Sequence, residues 1–201
     1  MLALVAGGGY WAWKTRSEGR AQAMLGEAIA VVQAPLEEPK PGAKPAAGNY
    51  PTVKARAEAA LAKFTEVSSA YPSTRAGIAA RYYAAAALTM LGRPAEAATR
   101  YQEVVDRAGT GSFYGRMAQL GLVESSAEAK QYDKAISAAQ ALVNNTADET
   151  IPRDALLMEL GRVQAAAGKK AEAKQTLDKV IADFPESVYV EEAKQLLASL
   201  T

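Results

Sequence analysis

Histidine and cysteine are both missing from the 201 residues, which removes the side chains most used as general bases, thiol nucleophiles and soft-metal ligands. Zinc, iron–sulfur, haem–histidine and thiol chemistry lose their usual ligands, and nucleophile–histidine catalysis is excluded. Carboxylates, lysines, tyrosines and hydroxyls remain. They fall mostly in runs such as AEAK, YDKA and KKAEAK, the pattern of solvated helix faces. No glycine-rich phosphate loop follows a strand, and no strand pattern is convincing. The expectation is a chain that is not an enzyme, with no catalytic residues, no cofactor and no metal site. The chemistry left to it is recognition. Methionines offer adaptable apolar surface and tyrosines a rigid ring with a polar edge. The residues expected to line a partner-binding groove are Tyr82, Met90, Met117, Leu120, Glu124, Met158 and Arg162. The alternative for the methionines is ordinary core filling. Glu124 and Arg162 stand 38 residues apart in equivalent positions, so they could pair or read opposite charges on a peptide. No lysine or arginine cluster is present to clamp a peptide C-terminal carboxylate.

Such a groove needs rigid elements behind it. The chain is rich in alanine and poor in β-branched runs, which favours helix throughout. Charge is balanced, with 23 Lys+Arg against 22 Asp+Glu, and gives no support for nucleic-acid binding. Apolar periodicity and turn residues predict helices over 15–34, 52–70, 74–91, 94–108, 113–129, 132–145, 152–167, 170–184 and 187–200. Pro94 and Pro152 suit first turns, and Gly92 and Gly168 suit helix ends.

An internal ruler organises these helices. Ala97, Ala135 and Ala173 are spaced by 38 residues. Four residues beyond each anchor come Tyr101, Ala139 and Leu177, and seven beyond come Val104, Leu142 and Val180. An earlier copy runs from Ala60 through Phe64 and Val67 to Pro72, and the last copy ends at Pro185. Within Leu157–Pro185, small residues (Gly161, Ala173) stand where two helices must touch. This is the arrangement of a tetratricopeptide (TPR) helix-turn-helix unit, with a period longer than the usual one of about 34 residues. The fold class expected is all-α, a TPR-like solenoid of helical hairpins in which neighbours share one core. Residues 187–200 are expected to cap it. Counting back from the anchors places Tyr82, Ala86 and Met90, then Met117, Leu120 and Glu124, then Met158, Arg162 and Ala165 on the groove face. Tyr82, Tyr83 and Tyr114 are expected to fill gaps between helices, the alternative being that they stack on ligands.

The ends of the chain differ in composition. Residues 1–13 are apolar and uncharged, and Trp11, Trp13, Lys14 and Arg16 read as the interfacial end of a membrane span. The stretch is short of the roughly 20 apolar residues a span needs, so it reads as a truncated transmembrane helix or an apolar helix against a protein partner. The expected organisation is an anchor helix over 1–16, a connector helix over 17–34, a Pro-rich exposed and mobile linker over 35–51, and the array with its cap over 52–201.

The segments VAGGGYWAW, YPSTRAGIAARYYAAAALTMLGRPAEAATRYQEVV and FPESVYVEEAKQLLASL resemble the span end, central repeat and cap of the YfgM-like TPR proteins of bacterial inner membranes. The chain departs from that pattern in its truncated span and in the Pro-rich insert 35–51. The resemblance implies a single-pass protein with its array in the periplasm, without enzymatic activity, whose partners are the secretory translocon, periplasmic chaperones and client segments. Lys14 and Arg16 alone would favour a cytoplasmic array. The alternative function is a structural accessory subunit fixed in a larger membrane complex.

Overall fold

The structure, a computed structural model, describes residues 2–38, 46–145 and 151–200, with the backbone alone for 2–12. Among these are nine helices: α1 (Leu2–Gln33), α2 (Val53–Ala70), α3 (Arg75–Met90), α4 (Pro94–Ala108), α5 (Phe113–Glu128), α6 (Tyr132–Asn144), α7 (Arg153–Ala166), α8 (Lys170–Asp183) and α9 (Val190–Ser199). All the helices predicted within 52–200 form, with ends shifted by up to three residues. No helix among the described residues is long and apolar enough to cross a membrane. Helix α1 runs through both the expected anchor segment and the expected connector. The chain divides into two compact units, residues 1–118 and 119–201, and the division falls within α5.

The alanine ruler is a packing ruler. Ala60, Ala97, Ala135 and Ala173, with their partners four and seven residues on, are all at most 5 % exposed. Burying one such large side chain contributes about 2 kcal/mol. The hairpin turns repeat as well. Gly92, Lys130 and Gly168 all adopt left-handed φ values, of 68°, 57° and 73°. In each case the next residue's N–H returns to the carbonyl five residues back: Arg93 to Leu88, Gln131 to Ser126, Lys169 to Gln164. This is the Schellman closure of a helix C-terminus. Lys130 holds a conformation that glycine adopts without steric cost.

In unit 1, α2 starts on Thr52, whose hydroxyl accepts from the Ala55 N–H at 3.0 Å. Helix α3 starts on Thr74, which accepts from Gly77 N–H at 2.9 Å. A carboxylate from α1 completes that start, since Glu18 accepts from the N–H groups of Arg75 and Ala76 at 3.0 and 3.1 Å. A negative group at a helix N-terminus is favourable, so this contact fixes α1 on α3. Arg81, only 7 % exposed, donates to Glu103 of α4 at 2.8 Å and to the Ser68 carbonyl of α2 at 3.2 Å. One guanidinium therefore joins three helices. Burial, and then Arg107, hold its pKa below the usual arginine value.

The Pro-rich insert is held by hydrogen bonds between its two described ends. Leu36 bridges Tyr50, with Glu37 N–H to the Tyr50 carbonyl at 2.9 Å and Tyr50 N–H to the Pro35 carbonyl at 3.0 Å. Glu37 accepts from Asn49 Nδ2 and Ala46 N–H, both at 2.8 Å, and Asn49 and then Ala46 hold its carboxyl below the usual range. Backbone groups in a loop need partners, and here the chain supplies them across the loop. Residues 39–45 lie outside the described residues.

In unit 2, α7 and α8 form the tightest seam. A Cβ on Gly161 would stand 2.7 Å from Leu177 Cδ2, so this position needs glycine for the helices to approach as they do. Beside it, buried Thr176 donates to Gln164 at 2.7 Å, satisfying both polar groups inside the seam.

Candidate partner-binding site

The positions expected to line one groove have different fates. In unit 1, Tyr82 is half-buried in a ring cluster with Tyr83, Tyr101 and Tyr114, at centroid distances of 5.5, 5.7 and 5.6 Å. Tyr83 also stacks on Phe64 at 5.3 Å. Edge and tilted contacts of this kind contribute beyond the area they bury. Burial, and then the hydrogen bond with Tyr83, push the Tyr114 phenol up to about 12. These tyrosines are cores between helices. Met117 is half-buried, and Met90, at the end of α3, is 59 % exposed.

In unit 2, Met158 is at 0 % exposure and offers no surface to a partner. Its helix is buried around much of its circumference, while Arg162 and Ala165 on the same expected face are half-buried. Leu120 is half-buried and Glu124 exposed. Glu124 does not pair with Arg162. Its side chain reaches solvent, yet desolvation of the carboxyl where it meets the fold, and then Glu159 and Glu128, raise its pKa. Arg162 instead clamps Glu192 of α9 through Nε and Nη2 at 2.8 and 2.7 Å, with Nη1 to Glu159 at 3.2 Å. The Tyr189 ring lies 5.9 Å from its guanidinium carbon. The bidentate geometry is the strong form of such a pair. Its hydrogen bonds raise the Arg162 pKa and hold Glu192 below the usual carboxylate range. Arg162 thus latches the last helix.

Of the expected membrane-interface residues, Trp13 is 65 % exposed, and Lys14 and Arg16 are exposed on the same helix. The Trp11 side chain lies outside the described residues.

Each unit carries a recess among its described residues. In unit 2, an open recess of about 690 Å³ runs between Ala165, Gly168, Lys170, Gln195 and Leu200, with the Arg162–Glu192 pair on its wall. Those two charges already satisfy each other. In unit 1, a cleft of about 80 Å³ opens between α1, α2 and α3. Phe64, Tyr83 and the alanines 57, 60, 86 and 87 form its walls, Val32 and Met90 stand at its mouth, and Arg56 is its one charged residue. Of the residues expected on the groove face, Ala86 and Met90 belong to this cleft. The sequence reading missed Val32, Arg56 and Phe64. Phe64 was assigned to packing by the ruler, and the α1 partner of the cleft comes from outside the repeat. No group of three or more acidic side chains able to hold a metal occurs among the described residues.

A tetratricopeptide repeat family model matches residues 79–109 and 154–187. No curated protein matches the chain in sequence. Two solved structures from Podosopora anserina, of a protein described as a kinesin light chain with nearly identical TPR-like repeats, are similar in fold, each with a TM-score of 0.61. One, a single-substitution variant, is 18 % identical and covers 91 % of this chain and 93 % of its own. The other is 17 % identical and covers 91 % of this chain and 94 % of its own. The chain is thus an all-α, TPR-like helical repeat array, with two segments that carry the repeat signature.

Proposed function

We propose that this chain is a non-catalytic scaffold that holds protein partners at the bacterial inner membrane, with its array on the periplasmic side, ancillary to the secretory translocon and periplasmic chaperones. The observation that carries the scaffold reading is the unit 1 cleft, apolar, walled by rings and alanines, with Met90 exposed at its mouth. An exposed apolar side chain beside an apolar recess offers a partner's side chain both a pocket and a lip to pack on. Repeat arrays of this kind present surfaces to protein partners, which agrees with the two matched segments. The membrane part of the reading rests on the uncharged stretch 1–13 that ends in Trp13, on Lys14 and Arg16 after it, and on the resemblance to YfgM-like proteins.

A second reading, an accessory subunit held permanently in a membrane complex, is favoured by exposed apolar side chains away from the cleft, Phe113 at 60 % and Val188 at 87 %. Gentle detergent extraction of the full chain, with and without Met90→Asp, separates the two. The scaffold reading expects partners at substoichiometric levels that high salt releases and that Met90→Asp reduces. A fixed stoichiometric set, surviving high salt and indifferent to Met90→Asp, would establish the subunit reading. Carbonate-resistant sedimentation of the full chain with membranes tests the anchoring separately.

A further inference from the structure

We infer that the unit 1 cleft is a socket for one aliphatic side chain of a partner polypeptide, with a partner carboxylate one helical turn away meeting Arg56. This rests on the scaffold reading and specifies what the scaffold grips. Volume decides the occupant. A cleft of about 80 Å³ is far below the roughly 300 Å³ at which small-molecule sites begin. It is also about half the roughly 150 Å³ cavity that takes a benzene ring. One leucine- or methionine-sized group fits. The space exists because Ala57, Ala60, Ala86 and Ala87 leave it, and the faces of Phe64 and Tyr83 close it with apolar surface. Isolated pockets of this kind receive the anchors that dominate protein–protein affinity.

Charge decides the anchor's neighbour. Arg56 is half-buried, and its Nη1 donates to the Ala34 carbonyl at 2.9 Å, which fixes the guanidinium beside the cleft. Among the described residues no carboxylate pairs with it. A held, half-desolvated guanidinium prefers a carboxylate over a neutral or cationic group. On a helical partner, a residue three or four positions from the anchor lies about 5–6 Å from it and on the same face. Val32 and the flexible Met90 at the mouth then cover the stem of the anchor.

The test uses the full chain with ¹³C-methyl methionine. Its five methionines include exposed Met90 and fully buried Met158, so one signal reports the cleft and another the fold. The probes are three alanine-based helical peptides, carrying leucine with glutamate one turn away, leucine with lysine, or alanine with glutamate. The leucine–glutamate peptide is expected to shift the Met90 methyl saturably and to leave Met158 unmoved. The lysine peptide is expected to bind about fivefold more weakly, and the alanine peptide not to saturate. Arg56→Gln, with the Met158 signal unchanged, is expected to equalise the two leucine peptides. Equal affinity of those two for the intact chain would overturn the carboxylate assignment and leave the scaffold reading standing. No Met90 response to any peptide would overturn the socket itself. The scaffold reading would then fail only if Met90→Asp also left co-purification unchanged.

Discussion

Units 1 and 2 follow the same offsets from an alanine anchor and use them differently. Four residues past the anchor, unit 1 places rings (Phe64, Tyr101), while unit 2 places Ala139 and Leu177. The rings of unit 1 meet Tyr83 and Tyr82, which in turn meet Tyr114, and beside them alanines leave an apolar cleft that reaches the surface. The aliphatic seam of unit 2 closes against Gly161, and its surface charges are tied to each other through Arg162 and Glu192. The ruler therefore specifies packing in both units, and the proposed socket lies where the filling of unit 1 departs from that of unit 2.

Two aspartate substitutions break that comparison most sharply. Met158→Asp places a carboxylate at a fully buried site and should cost about 4 kcal/mol, unfolding unit 2 in urea titrations followed by circular dichroism. Met90→Asp, at an exposed helix end, should stay within about 0.5 kcal/mol of the parent. Similar losses for both would show that the two methionines are equivalent. Next is Gly77→Ala. A Cβ there would stand 1.8 Å from the Tyr71 carbonyl oxygen, backbone that cannot turn aside as a side chain can. The expected loss is about 3 kcal/mol, at the upper end for overpacking. At Gly161 the obstacle is the Leu177 side chain, so Gly161→Ala should cost less, about 1–2 kcal/mol.

Smaller and of opposite sign is Lys130→Gly. It relieves a left-handed φ of 57° and should raise stability by about 1 kcal/mol, read as a higher urea midpoint at unchanged slope. Pairing of Lys130 with a carboxylate would have to exceed that relief for the midpoint to fall.

The smallest effect sharpens the ring cluster of unit 1. The folded-state pKa of Tyr114, about 12, lies above the ordinary value of 10.0. The folded protein therefore holds this proton more tightly than the unfolded chain. The stabilisation is complete below pH 10 and is lost as pH rises through about 12. Absorbance at tyrosinate wavelengths should show a late-titrating phenol that Tyr114→Phe removes. A parent titration with no such component would contradict the packed cluster.

Local periodicity made most of the fold legible. All twelve ruler positions are buried, and helix ends were readable from proline, glycine and the 38-residue repeat. Gly77 and Gly115, also 38 apart, carried a signal that went unread, since each sits against a carbonyl oxygen of the preceding turn. The groove was far less legible. A helix buried on more than one side shows the same 3.6 spacing on each, so Met158 could not be told from an exposed position. Arg162 met Glu192, 30 residues on, and Glu18 met the start of α3, 57 residues on. Such long-range pairs have no local pattern. The cleft depends on α1, which lies outside the repeat that the ruler detects.

Site-specific photo-crosslinking bears most directly on the claim that departures from the ruler carry recognition. A photoreactive phenylalanine would replace Met90 in the unit 1 cleft and, in a second variant, exposed Glu172 on α8 of unit 2. A discrete partner adduct is expected from position 90, suppressed by excess leucine–glutamate peptide, and none from position 172. An adduct from 172 with none from 90 would contradict that claim.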